Sequence, residues 1–160
     1  MFELTKVEEK DKNIIYNLMQ LYTYELSFYA DENTDFKLLD TGLFAMNKYL
    51  KLYWEEEQRH PFILKYNGEL AGFVLVRFNE ENMYEIAEFF VLYKYRNLGA
   101  GRFMANEMFN KYKGKWEIRT LLKNKGAQDF WRNVIKEYSN GNYEEHLIRN
   151  NTKYAFYFKN

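Results

Sequence analysis

A chain of 160 residues is one domain in length, and 47% apolar content with 29% charged residues and a single proline predicts a packed core rather than disorder. Lys plus Arg and Asp plus Glu are 23 each, so net charge selects neither nucleic acid nor an acidic membrane as a partner. Cysteine is absent, which excludes disulfides, thiolate catalysis and cysteine zinc sites.

No apolar run reaches the roughly 18 residues that a membrane helix needs, and the first dozen residues are too polar for a signal peptide. The expectation is a soluble cytoplasmic domain with no membrane partner. Serine occurs only at Ser27 and Ser139, neither within a G-x-S-x-G elbow, so acyl catalysis through serine is excluded as well. His60 and His146 are the only histidines and stand far apart, so no metal site is expected.

In chain order, FELTKV alternates as a short strand. From Glu9 to Tyr29 the residues Ile14, Ile15, Leu18, Met19, Tyr22 and Leu26 recur at helical spacing. Residues 31–58 are acidic and aromatic, and read as a loop followed by a second helix over about 43–58. The period then becomes that of strands. PFILKY and ELAGFVLVRF flank Asn67-Gly68, the pair suited to the positive φ angles of a type I′ hairpin turn. A polar turn over 79–82 leads to MYEIAEFFVLY, long and β-prone, and then to RNLGAG. A helix with Met104, Met108, Phe109 and Tyr112 on one side follows, then the strand KWEIRTLL. Ala127, Phe130, Trp131, Val134, Ile135 and Tyr138 mark another helix. YEEHLIR and KYAFYF are two final strands around Asn150-Asn151. The fold class is mixed α/β: one sheet with helices packed on it.

The even charge balance hides an asymmetry. Residues 1–60 carry 7 basic and 12 acidic side chains, and residues 61–160 carry 16 basic and 11 acidic. Over 94–136 there are 11 basic residues against Glu107, Glu117 and Asp129. Either a solvated helix face or a site for a polyanion accounts for that surplus.

Arg96-Asn97-Leu98-Gly99-Ala100-Gly101 lies where a strand ends and a helix begins. The first turn of a helix has unpaired N–H groups and a partial positive charge, and glycines let a ligand approach the backbone. Two common phosphate loops do not fit. Gly101 is followed by Arg102-Phe103 rather than Lys-Ser/Thr, and Met104 and Thr120 stand where a dinucleotide fingerprint needs a small and an acidic residue.

R-x-x-G-x-G does fit. The stretch IAEFFVLYKYRNLGAGRFM resembles the central strand and acetyl-CoA loop of the GNAT-type N-acetyltransferases, with Arg96, Gly99 and Gly101 on the defining positions. Asn124, Ala127 and Phe130-Trp131 match that family's N-x-x-A-x-x-[LF]-Y signature except at the last residue. The order of elements agrees over essentially the whole chain. The resemblance implies a single GNAT-like domain over 1–160, with a central mixed, mostly antiparallel sheet flanked by helices. It also implies acetyl-CoA as co-substrate. Its pyrophosphate would be held by Arg96, Asn97, Leu98, Gly99, Ala100, Gly101 and Arg102. Main-chain groups of Phe89, Phe90 and Val91 would pair with the pantetheine arm, with Asn124, Phe130 and Trp131 along its far side. Relatives often dimerise, and the terminal hairpin is the candidate for a homodimer contact.

With no cysteine or elbow serine, direct attack by a primary amine in a ternary complex is the economical chemistry. Glu88, three residues before Val91, is the expected general base, with Glu85 a weaker candidate. A backbone N–H near Val91, where relatives splay this strand, would be the oxyanion donor. Trp131 replaces the tyrosine that could give a proton to the departing sulfur. Either CoA then leaves as thiolate, or another tyrosine such as Tyr138 substitutes. Tyr22, Tyr24, Glu25 and Tyr29 are candidates to line the acceptor pocket or the core. Glu25, Asp31, Glu32 and Asp35 favour a cationic acceptor, a small amine or polyamine rather than an acidic amino acid, and a small molecule is expected rather than a protein. No nucleic-acid motif is present. The alternative function is a non-catalytic acyl-CoA-binding or sensing module.

Overall fold

The alternating runs form strands and the 3.6-residue periods form helices. The computed structural model describes residues 1–30 and 36–160. β1 (Phe2–Lys6) is followed by α1 (Lys12–Leu26), then β2 (Arg59–Tyr66), β3 (Glu69–Phe78) and β4 (Tyr84–Val91). α2 (Ala100–Lys111), β5 (Lys115–Leu121), α3 (Lys125–Tyr138), β6 (Tyr143–Ile148) and β7 (Lys153–Lys159) complete the chain. The seven strands form one sheet in the order β1-β2-β3-β4-β5-β7-β6. All neighbours are antiparallel except β4 and β5.

Each face of the sheet is covered by helix, because the central strands are apolar on both sides. On one face α2 and α3 bury Met104, Phe109, Trp131 and Ile135 against Trp116, Phe156 and Phe158. On the other, α1 lays Ile15, Leu18 and Met19 over Phe73, Leu75 and Phe90. The β2–β3 hairpin turns at Asn67 and Gly68, with φ of 49° and 84°, as a type I′ turn requires. No helix among the described residues is long and apolar enough to cross a membrane.

One expected element does not form. In place of a helix over 43–58 there is a single 3-10 turn, Leu50–Trp54. Only Leu50 and Tyr53 are buried there, so the apolar stripe is one turn long. Asn47 Oδ1 takes the Tyr49 N–H at 2.9 Å, a side-chain bond that competes with helix formation. Trp54 Nε1 ties the turn to Val7 O at 3.0 Å.

Two irregularities open the sheet at β4. The β3–β4 register shifts between Leu75 and Val76, so that Leu75 faces Glu88 and Val76 faces Ile86, leaving Ala87 as a bulge. The parallel pairing of β4 with β5 runs only over Tyr84–Ile86. From Ala87 to Val91 the two strands separate.

Candidate functional site

The gap between the separated strands is lined by main chain. Leu92 N–H donates to Ala71 O on β3 at 2.9 Å. Strand alternation therefore turns the N–H groups of Val91 and Phe89 away from β3 and toward the gap. Gly72 makes the β3 side possible: a Cβ there would lie 2.1 Å from Phe90 O. The side chains of this segment divide between the two faces. Phe90 is buried with Tyr22 and Phe73 under α1. Phe89 packs on Phe130 and Trp131 of α3, with ring centroids at 5.6 and 4.7 Å. Val91 is buried.

Beyond the gap the chain turns through Arg96 to Gly99 into α2. Asn97 and Gly99 are left-handed, with φ of 63° and 86°. The first bond of the helix runs from Phe103 N to Gly99 O, 2.9 Å. The N–H groups of Ala100, Gly101 and Arg102 precede it and have no intrahelical partner. A left-handed residue followed by a helical one also makes successive N–H groups converge, so this end of α2 suits a phosphate group. Ala100 is buried and anchors the turn, whereas Leu98 and Asn97 are exposed. A Cβ on Gly101 would meet the Phe130 ring at 3.0 Å, so that glycine is needed for the close approach of α3.

The arginines of the loop are engaged within the protein. Arg96 donates through Nε to Val91 O at 2.8 Å and through its other end to Glu25 of α1, tying loop, strand and helix together. Arg102 is paired with Glu137 of α3. Arg119, Arg132 and Lys94 have carboxylate partners as well, so much of the basic surplus over 94–136 is neutralised by acids from other segments. Asn124 caps α3, accepting the Ala127 N–H at 3.0 Å; its amide NH2 is the part left to reach a ligand. Trp131 is 4% exposed and packs within the core of that face.

On the α1 side of β4 stands Glu88, partly buried, with the Tyr22 hydroxyl within hydrogen-bonding reach. Burial pushes its carboxyl up to about 7, against the opposing effects of the Tyr22 bond and the Lys153 charge. The Tyr22 phenol is held well above its ordinary value by burial and by Glu88, which outweigh the opposing effect of the nearby Phe89 N–H. Burial and Glu88 raise the Tyr53 phenol too, so both tyrosines are neutral at any working pH. Below Glu88 opens a cleft of about 380 Å³, within the size range of small-molecule pockets. Its far wall is an ion network: Arg77 holds Glu85 through two bonds of 2.6 and 3.1 Å, Asn79 holds it at 3.0 Å, and Arg119 bridges Glu85 and Glu117 at 3.3 and 2.6 Å.

That network corrects the reading of Glu85 as a second base. Burial works to raise its carboxyl, but the bonds from Arg77 and Asn79 and the nearby guanidinium charges outweigh it and hold the group below the usual range. Tyr138 is likewise no acid for this site. At the far end of α3 its hydroxyl meets Asn110 at 2.9 Å, Lys113 at 3.1 Å and Asn160 at 3.2 Å. Of the α1 candidates, Tyr22 adjoins Glu88, Tyr24 is exposed against Phe28, and Glu25 is held by Arg96; Tyr29, in the 3-10 turn after α1, is half-buried. Asp31, Glu32 and Asp35 lie outside the described residues. The walls that are described therefore supply no acidic surplus for a cationic acceptor. Sequence reasoning missed Tyr22 as a partner of Glu88, Gly72, the Arg77–Glu85–Arg119 network and Arg149, which reaches the cleft from the β6–β7 turn.

A model of the acetyltransferase (GNAT) family matches residues 18–134. No curated protein is significantly similar to the chain in sequence. Among solved structures, an acetyltransferase from Thermus thermophilus superposes with a TM-score of 0.71 at 14% identity, over 100% of this chain and 97% of that one. A Bacillus anthracis protein solved in complex with acetyl coenzyme A gives 0.62 at 13% identity, covering 100% and 99%. The ribosomal-protein-S18-alanine N-acetyltransferase of Escherichia coli gives 0.61 at 14%, covering 98% and 91%. At these identities the likeness is one of fold.

Proposed function

The chain belongs to the GNAT family of acetyl-CoA-dependent acetyltransferases, and from that premise we propose that it acetylates a primary amine by direct attack, with both substrates bound at once. The observation that carries this reading is the opening between β4 and β5, with Glu88 on one side and main-chain N–H groups along its rim. Acetyl-CoA, when bound, supplies the acetyl group on a thioester.

The residues present fit that group. The end of α2 from Asn97 to Arg102 would hold the pyrophosphate, with Arg96 fixing the loop to β4 rather than touching phosphate. Phe89, Phe90 and Val91 would pair with the pantetheine arm through main chain. The Asn124 amide and the Phe130 ring would line its other side, with Trp131 supporting both aromatic neighbours from beneath.

Glu88 removes the proton from the acceptor ammonium. An amine with a pKa near ~10 is deprotonated more readily by a carboxyl raised to about 7 than by one at its ordinary value. The Val91 N–H is directed at the gap, where a carbonyl oxygen gathers negative charge as the nitrogen attacks. As the carbon–nitrogen bond forms, the carbon–sulfur bond breaks. The second nitrogen proton passes through water to the departing thiolate, which needs no acid because a thiol has a pKa near ~8.5.

Thiol release from acetyl-CoA across an amine panel tests the reading. Intersecting initial-rate patterns are expected. CoA binding with no thiol release for any amine would make the chain a binding or sensing module, and parallel patterns would overturn direct attack.

A further inference from the structure

The cleft below Glu88 holds more positive charge than proton transfer needs. Four arginines line it: Arg59, Arg77, Arg119 and Arg149. Three have carboxylate partners, Arg77 on Glu85, Arg119 on Glu85 and Glu117, and Arg59 on Glu56 at 2.6 Å. Arg149 has none; among the described residues its side chain makes no ion pair, hydrogen bond or ring contact. In the same wall the buried Arg119 Nε–H lacks an acceptor.

The backbone at Arg149 is a second, independent observation. Seven non-glycine residues among those described have positive φ, and six are asparagines, the residue type that tolerates this conformation. The seventh is Arg149, φ 52°. It is followed by Asn150 and Asn151 at 55° and 63°, in a turn closed by Thr152 Oγ1 to Arg149 O at 2.7 Å. An arginine at a left-handed position gains nothing locally. Its placement presents a guanidinium, a planar fork suited to carboxylate and phosphate, to the cleft that Glu88 also lines.

We infer that the acceptor is a small primary amine that also carries an anionic group, a carboxylate or a phosphate, with its nitrogen at Glu88 and its anion on Arg149. This rests on the acyl-transfer reading of the cleft. The two groups that lack an ion-pair partner in the described walls, one carboxyl and one guanidinium, are complementary to such a molecule. A diamine would bring its second ammonium against Arg149.

The test uses the full chain and ω-amino carboxylates of three to six carbons. Each is compared with its neutral amide and with the diamine of equal length, and O-phosphoethanolamine serves as the phosphate arm. The anionic member of each set is expected to exceed the neutral one at least tenfold in kcat/KM at low salt, with the advantage shrinking as salt is added. In Arg149→Ala that ratio should fall to near one, and in Arg149→Glu the diamine should lead. A diamine that leads in the parent, or a ratio unchanged in Arg149→Ala, overturns the inference. Calorimetry of the same compounds on the CoA-loaded protein separates the two readings. Binding of the carboxylate that Arg149→Ala weakens tenfold supports the inference even if no thiol is released, an outcome that would remove acyl transfer alone. Equal binding of anionic and neutral members overturns it whatever the turnover.

Discussion

A side-chain carbon added at Gly101 would stand 3.0 Å from two ring atoms of Phe130, so the start of α2 and the first turns of α3 meet across a glycine. The two glycines of the loop thus act differently. Gly99 is required for its backbone, φ 86°, with open space around it; Gly101 is required for space. Gly101→Val would drive Phe130 outward, into the side of the gap assigned to the pantetheine arm, and would also crowd the phosphate approach. CoA affinity should fall more than tenfold, about 1.4 kcal/mol or more. Calorimetry giving an unchanged affinity in a folded variant would remove the loop assignment.

Glu88→Gln should lower kcat by roughly 10²–10⁴ with CoA affinity nearly intact. In the parent, kcat/KM should rise with pH through about 7, since the base works only when ionised. Stability should run the other way. A carboxyl whose folded pKa lies above its unfolded one favours the folded state at low pH, and that contribution is lost as pH rises from about 4.5 through 7. The Gln variant should lack both inflections. Tyr22→Phe removes a bond that stabilises the carboxylate, so its rate profile should shift to higher pH. A rate and profile in Glu88→Gln equal to the parent's would make Glu88 structural.

Most of the fold was legible because its signals are local. The period of 2 in ELAGFVLVRF, the Asn67-Gly68 turn and the apolar stripe from Ala127 to Tyr138 each sit within one element, and each of these formed where its residues indicated. The segment 43–58 failed because Tyr49, Tyr53 and Trp54 suggest a helix face without repeating beyond one turn. In the candidate site, the glycine loop and Glu88 stand out in the sequence, since both lie in or beside one strand. Their surroundings could not. Arg96 and Glu25 are 71 residues apart, Arg119 and Glu85 are 34 apart, and no spacing rule links an arginine in a terminal hairpin turn to a carboxylate in the central strand.

Glu85→Gln tests the network that walls the cleft. Glu85 is buried between two guanidiniums, and its loss leaves Arg77 without its carboxylate partner and Arg119 with Glu117 alone. Breaking one partner of such a network should cost about 3 kcal/mol, seen as a lowered midpoint in denaturant. The carboxylate is held ionised by Arg77 and Asn79, so the cost should appear at neutral pH and shrink as the medium becomes acidic enough to protonate Glu85 in the parent. The pH inflection of the rate should stay where Glu88 sets it. An inflection that moves or vanishes would restore Glu85 as a base.

Trp131 and Tyr138 lie two turns apart on α3, and only the first is near the gap. The Trp131 ring is buried against Phe89 and Phe130, with centroids at 4.7 and 4.9 Å. An indole N–H donates a hydrogen bond but is no acid at neutral pH, so this side chain cannot protonate a departing sulfur. Trp131→Phe keeps the aromatic packing and loses some volume; it should destabilise by about 1 kcal/mol and lower turnover less than tenfold. Tyr138 binds Asn110, Lys113 and Asn160 where the ends of α2, α3 and the C-terminus meet. Tyr138→Phe should therefore cost about 1 kcal/mol of stability and leave kcat within twofold. The alkaline side of the pH–rate profile decides between thiolate departure and a hidden acid. With thiolate departure the parent and both variants should hold their plateau from pH 8 to 9.5. A parent profile that falls above pH 8, with that fall abolished in either variant, would mean that a proton donor serves the sulfur after all. A hundredfold loss in Tyr138→Phe with CoA binding preserved would name the donor.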